Sequence, residues 1–345
     1  MLNGRQNFKK LLDGECPEWI PEYSIMPPPK GSGLPAPAIQ LLSPEFLHTH
    51  RKPYVGGTDI WGVKYSYSEE INGATMPDTR SFILDDIEKW RDVIKAPDVS
   101  GYDWERIVKD SIEHSNYNRE ETLCSIDMHF GYFQHLMSFM GFSEGLCALL
   151  EDTEECEELL NYLCDFYCMI TEKTIDLYKP DVLSLKDDTA STMAPFISPE
   201  MYRRVFIPLY QRHAKYAHER GIPITFHNCG KSEKLIAILV EKVGIRLWDP
   251  AQTMNDLVAV KEKYGNSLVI AGGWEPQGRM LADDVSDEEI YESVQSAIKT
   301  LAVGGGFAFS SVFLGSSSER SRAIAAHKNQ VLRKAYEDLK YTFYN

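Results

Sequence analysis

DVLSLKDDTASTMAPFISPEMYRRVFIPLYQRHAKYAHERGIPITFHNCG, from Asp181 to Gly230, is the stretch that decides the fold. The run DVLSL is short, apolar and β-like, and it leads into a loop. Ser198, Pro199 and Glu200 then supply an N-cap, a proline at the first helical position and an acid in the first turn. Tyr202, Val205, Phe206, Leu209, His213 and Tyr216 follow at helical spacing, and Gly221 with Pro223 stops the helix. A second apolar run, PITF, ends near Phe226. Strand, crossover helix, strand is the pattern of a parallel sheet.

The pattern continues in both directions. A helix through Leu235, Ile236, Leu239 and Val240, capped by Ser232, is followed by the strand candidate IRLW (Ile245 to Trp248) and a helix capped by Thr253. SLVIAGG (Ser267 to Gly273) reads as the next strand, Ser286 with Glu289 as a capping box, and FAFSSV (Phe307 to Val312) as the last strand before a helix from about Ser318. Upstream, LCSIDM (Leu123 to Met128) reads as a strand, and Thr153 caps a long helix through Tyr178. An early strand is expected within WIPEYSIM, Trp19 to Met26. The proline-rich Pro27 to Pro44 segment and the following residues to about 80 read as an irregular excursion before a hairpin, of the kind that covers or lines a site. The expected architecture is an α/β (β/α)8 TIM barrel, formed by residues 1–345 as one domain.

Composition removes several functional classes. The formal net charge of −15 offers no field for phosphate backbones, so nucleic acid is not an expected partner. No stretch of eighteen apolar residues and no apolar leader is present, which predicts a cytoplasmic protein without a membrane span. Seven irregularly spaced cysteines point to reduced thiols rather than a disulfide framework. Cys164 and Cys168, four apart on a helix, read as packing.

In a barrel of this kind the strand ends and following loops converge on one mouth, where chemistry is expected. His227 and Cys229 stand just beyond an apolar strand, and imidazole with thiolate is a favourable zinc pair. The same spacing also fits a core histidine and an inert thiol. Asp187 and Asp188 stand at another strand end and are the candidate catalytic acids, as metal ligand, general base or substrate anchor. Glu275 follows AGGW and is the candidate third metal ligand. Tyr23, Trp61, Trp248 and Trp274 are candidates to wall a flat substrate.

These residues lie in segments that resemble the uroporphyrinogen-decarboxylase superfamily over nearly the whole chain. The likeness is carried by RQNFKKLLDGECPEWIP, DIWGVKY, DIEKWRDVIKAPD, the block Met140 to Tyr167, the block Asp187 to Lys231 and GGGFAF. The resemblance implies the barrel and, commonly, association into a homodimer. The arginine-rich motif of true uroporphyrinogen decarboxylases has no counterpart around IMPPPKGSG, which argues against porphyrinogen decarboxylation.

HNCGK is similar instead to the H-x-C-G of corrinoid-dependent methyltransferases, in which histidine and cysteine bind zinc with a second, late cysteine. His227 and Cys229 match. The late segment reads SSVFLGSSSER, so no cysteine follows Cys229 and another donor must complete the shell. The resemblance therefore implies zinc, a corrinoid carried by a partner protein, and a small methyl donor of the methoxylated aromatic type. The alternatives are a methylcobamide:thiol methyltransferase, a metal-free decarboxylase or lyase using Asp187 or Asp188, and a non-catalytic binder.

Overall fold

The computed structural model describes residues 2–24, 37–50, 55–67, 75–315 and 318–342. Their strands are β1 (Ile39–Leu42), β2 (Gly57–Thr58), β3 (Lys64–Tyr67), β4 (Thr75–Pro77), β5 (Leu123–Ile126), β6 (Val182–Lys186), β7 (Ile224–His227), β8 (Leu247–Ala251), β9 (Val269–Gly273) and β10 (Phe307–Ser310). Seven of them form one sheet in the order β1-β5-β6-β7-β8-β9-β10, and every pairing in it is parallel. The expected α/β barrel is thus present as a large parallel sheet curling into an open barrel. Of the stave expected near Trp19 to Met26, the described residues form one parallel bridge, Glu22 to Phe309; Ile25 and Met26 lie outside the described residues.

Side-chain alternation along the strands divides the core into two layers, because successive residues of a strand face opposite sides of the sheet. Ile39, Leu123, Val182, Leu247, Val269, Ala271 and Ala308 face inward and pack with Tyr23 and with Phe8, Leu11 and Leu12 of the helix Gly4–Leu12. Their neighbours Cys124, Leu183, Ile224, Trp248, Ile270 and Phe307 face outward into the larger core beneath the crossover helices. Continuing the same inward phase one or two steps up each strand brings Asp127, Lys186, His227 and Asp249 to the C-terminal end. The barrel is closed below by apolar side chains and polar above, which is what places chemistry at the mouth.

Several expectations are corrected. Ile39–Leu42 is a barrel strand where an irregular excursion was expected; its neighbours 25–36 lie outside the described residues, as does most of the proline-rich segment. The expected hairpin is the three-stranded antiparallel sheet β2-β3-β4. The strand read as Ile245 to Trp248 begins at Leu247 and extends to Ala251, with its register against β9 interrupted after Trp248. Pro250 has no N–H to give a ladder, so the interruption falls where proline is tolerated. The helix Leu257–Tyr264 is capped by Asp256, not Thr253, and Asp152 rather than Thr153 precedes the helix Thr153–Tyr178. Ser232 makes no side-chain cap. Ser198 caps Met201, and the Ser286 and Glu289 box forms both its bonds. All seven cysteines are free. Among the described residues no helix is long and apolar enough to cross a membrane.

Candidate metal and active site

His227 is the last residue of β7 and faces inward; Cys229 lies two residues on, and Gly230 turns the chain away. A Cβ on Gly230 would sit 2.4 Å from the Ala190 carbonyl and 2.6 Å from that of Ser191, and its φ is +84°, so only glycine fits this close approach. The two loops therefore press together, and they bring Asp188, after β6, to the imidazole and thiol. One donor atom from each of Asp188, His227 and Cys229 lies within 4.8 Å of the other two, and all three residues are partly open to solvent.

The bonding of the cluster assigns each nitrogen of His227. Nδ1 lies 2.7 Å from Asp249 Oδ2, and since a carboxylate only accepts, Nδ1 carries the hydrogen. Nε2 faces Cys229 Sγ at 3.5 Å and Asp188 Oδ1 at 3.8 Å. Asp188 Oδ1 also accepts from the Cys229 backbone N–H at 2.9 Å, and Oδ2 from Gln134 Nε2 at 3.2 Å. Asp249 uses its second oxygen to accept from the Tyr23 hydroxyl at 3.0 Å. Burial pulls the His227 imidazole down, but the charge and hydrogen bond of Asp249 outweigh it and hold the ring well above its ordinary value. Burial pushes the Cys229 thiol up, against the opposing pull of His227.

This donor set fits zinc. Nitrogen, sulfur and carboxylate oxygen are its usual ligands, and a ligating imidazole normally gives its other N–H to a carboxylate. His227 already does so, which leaves the Nε2 lone pair directed at the other two donors once that nitrogen is unprotonated.

Asp187 and Asp188 are adjacent yet part company. Asp187 is fully buried and accepts from the backbone N–H groups of Phe133 at 2.8 Å and Gln134 at 3.1 Å, and from the Tyr210 hydroxyl at 2.7 Å. It caps the helix Tyr132–Met140 from a different strand, and burial pushes it up to about 6 despite those bonds. Gly131, at φ +100°, admits it: a Cβ there would come within 2.6 Å of Asp187 Oδ1. Beside it, Lys186 is ion-paired with buried Asp127. Burial would raise that carboxylate, but Lys186 and His129 hold it well below the usual range.

The other predicted residues are placed apart from the cluster. Glu275 accepts from the Thr253 N–H and hydroxyl and from Gln277 Nε2, bracing the loop beyond β8. Trp248 has no exposure and gives its indole N–H to the Asn228 carbonyl in the outward layer. Trp274 donates to Ser293 and meets Phe313 edge-on. Trp61 donates to Tyr167 and packs on Phe166, beside a water-sized cavity of about 10 Å³ that His129 and Phe130 also line. Tyr23 is buried with its hydroxyl on Asp249. Nothing local in FGYFQH marks Gln134 as a neighbour of Asp188, and Asp249, directly after IRLW, carries only the mark of an acid at a strand end.

A parallel α/β barrel with a nitrogen, sulfur and oxygen donor cluster at its C-terminal mouth is the class that fold and site define. The family model for uroporphyrinogen decarboxylase (URO-D) matches residues 62–312, and the chain belongs to that family. No curated protein matches the sequence. Among solved structures, a methyltransferase from Methanosarcina mazei is similar over 98% of this chain and 99% of its own, with a TM-score of 0.61 at 12% identity. An uronate isomerase from Bacillus halodurans C-125 is similar over 67% of this chain and 54% of its own, at 12% identity and a TM-score of 0.32.

Proposed function

We propose that this protein is a zinc-assisted methyltransferase that moves a methyl group from a small methylated substrate, a methoxylated aromatic, to a corrinoid carried by a partner protein. The observation that carries this reading is the Asp188, His227 and Cys229 cluster, half-buried at the mouth and backed by Asp249. The end-to-end likeness of fold to the Methanosarcina mazei methyltransferase supports it. In this reading Asp188, not Glu275, is the third ligand.

Asp188, His227 and Cys229 would hold the zinc, which would supply Lewis acidity toward the ether oxygen, with the methyl group passing to the Co(I) of the corrinoid and the oxygen keeping the electron pair of the broken O–CH3 bond. The protein supplies the positioning. Asp249 holds the His227 ring in one tautomer and one plane, and Gln134 with the Cys229 N–H fixes the Asp188 carboxylate. Asp187 is a positioning residue, tying β6 to the helix that carries Gln134. Partial exposure of the three donors leaves the cluster reachable by substrate from the mouth.

The test is an anaerobic assay of methyl transfer from methoxybenzenes to a reduced, Co(I) corrinoid. Transfer that depends on zinc and is lost in His227→Ala supports the reading. Turnover that survives exhaustive chelation overturns it and moves the chemistry to the carboxylates alone.

A further inference from the structure

The proposal concerns Tyr23 and rests on the zinc site proposed above. Tyr23 lies 204 residues before His227 in the chain, yet its hydroxyl donates to the same Asp249 carboxylate that orients the His227 ring, at 3.0 Å on one oxygen and 2.7 Å on the other. Both Tyr23 and Asp249 are buried, at 5% exposure each. Burial, and then the charge of Asp249, hold the phenol well above its ordinary value, so it remains a donor at any physiological pH.

The segment that carries Tyr23 meets the barrel sheet at the Glu22 to Phe309 bridge. Tyr23 N–H donates to the Phe309 carbonyl at 2.8 Å, and Phe309 N–H to the Pro21 carbonyl at 2.9 Å. The C-terminal helix Glu319–Leu339 holds the same segment from outside: Tyr336 donates to the Ile20 carbonyl at 2.9 Å and Arg333 pairs with Glu22. Ile20 N–H also donates to the Lys340 carbonyl at 2.9 Å, so among the described residues the segment is held to the C-terminal helix as well as to the sheet, which it meets at one bridge. A segment joined to the sheet over so short a run has few sheet bonds to break when it opens locally.

We propose that Tyr23 is a positioning residue of the metal site, acting through Asp249, and that metal binding and seating of the 20–23 segment on β10 stabilise each other. The physical basis is that a ligating imidazole is oriented by the carboxylate on its far nitrogen. Loss of such an outer partner typically lowers metal affinity about 10- to 100-fold. Coupling of this kind is reciprocal: whatever seating Tyr23 adds to zinc affinity, zinc adds to the seating.

The experiment measures zinc affinity of the full chain by chelator competition, and amide hydrogen exchange of the 20–24 peptide with and without zinc, in wild type and Tyr23→Phe. The substitution keeps the ring packed against Phe8, whose centroid lies 6.1 Å away, and removes only the hydroxyl. The expected result is about tenfold weaker zinc binding, with the metal-free variant still folded and melting in one cooperative step a few degrees lower, since one buried Asp249 oxygen loses its donor. Zinc is expected to slow exchange of the peptide in wild type and to lose that effect in the variant. Asp249→Asn provides a second variant, expected to weaken zinc at least as much. Equal zinc affinity in wild type and Tyr23→Phe, or zinc without effect on the peptide, overturns the inference while leaving the zinc site intact. Wild type that takes up no zinc overturns both.

Discussion

The two nitrogens of His227 do different work, one held by Asp249 and the other turned to Asp188 and Cys229, and this division carries the account at the scale of single residues. Asp188→Asn is expected to keep the fold but weaken zinc binding by more than about tenfold, since an amide oxygen is a poorer ligand than a carboxylate. Glu275→Gln is expected to leave zinc affinity within about twofold, because its carboxylate is already occupied by Thr253 and Gln277. Zinc titration of both variants in parallel decides between the two acids; the reverse ranking would place Glu275 in the shell. The closeness of His227 and Cys229 was legible because their spacing is local. That Asp188 rather than Glu275 lies beside them was not, since both are acids that follow an apolar strand, and only the packing of Gly230 against the Ala190 and Ser191 carbonyls brings Asp188 there. The positions of the tryptophans were not legible for a similar reason: a Trp within or after an apolar run carries no mark of which sheet face it takes, and Trp248 takes the outward one.

The elements show where small side-chain features hold large pieces in place. Capping of the helix Tyr132–Met140 by Asp187 requires glycine at 131, so Gly131→Ala is expected to cost about 1–3 kcal/mol, through backbone strain and the clash with the carboxylate. Urea unfolding measures this, and an unchanged midpoint would deny the cap its role. The turn between β2 and β3 offers a pH test. Asp59 accepts from the N–H groups of Trp61 and Val63, and burial pushes it up to about 6. A carboxylate raised in the folded state binds more protons there than in the unfolded chain, so its contribution to stability falls as pH rises from about 4 to about 6 and stays lost above. Relative to wild type, Asp59→Asn is therefore expected to gain up to about 3 kcal/mol between pH 4 and pH 7. A pH-independent difference would contradict the burial argument. Helices and most parallel strands were readable because caps and apolar runs are local. Ile39–Leu42 was not, because four residues after a proline-rich tract show no period, and only pairing with β5 makes them a strand.

For the whole molecule, one fold law organises the result: inward side chains are apolar low in the barrel and polar at the top, so Asp127, Lys186, His227 and Asp249 share a layer without being near in sequence. That law was readable as a parallel α/β pattern, and the mouth followed from it. The place of Tyr23 beside Asp249 was not, because it depends on which residue of the N-terminal segment meets β10. Zinc that binds the folded chain alone stabilises it by mass action, by about 4 kcal/mol at a thousandfold excess over Kd, so chelation is expected to lower Tm by roughly 6 °C. The most direct test of the account is the zinc content of the protein purified without chelators, measured by mass spectrometry of the metal beside His227→Ala, Cys229→Ala and Glu275→Gln. Close to one zinc per chain is expected in wild type and Glu275→Gln, and essentially none in the other two. Wild type that is free of zinc and cannot be loaded with it would contradict the account.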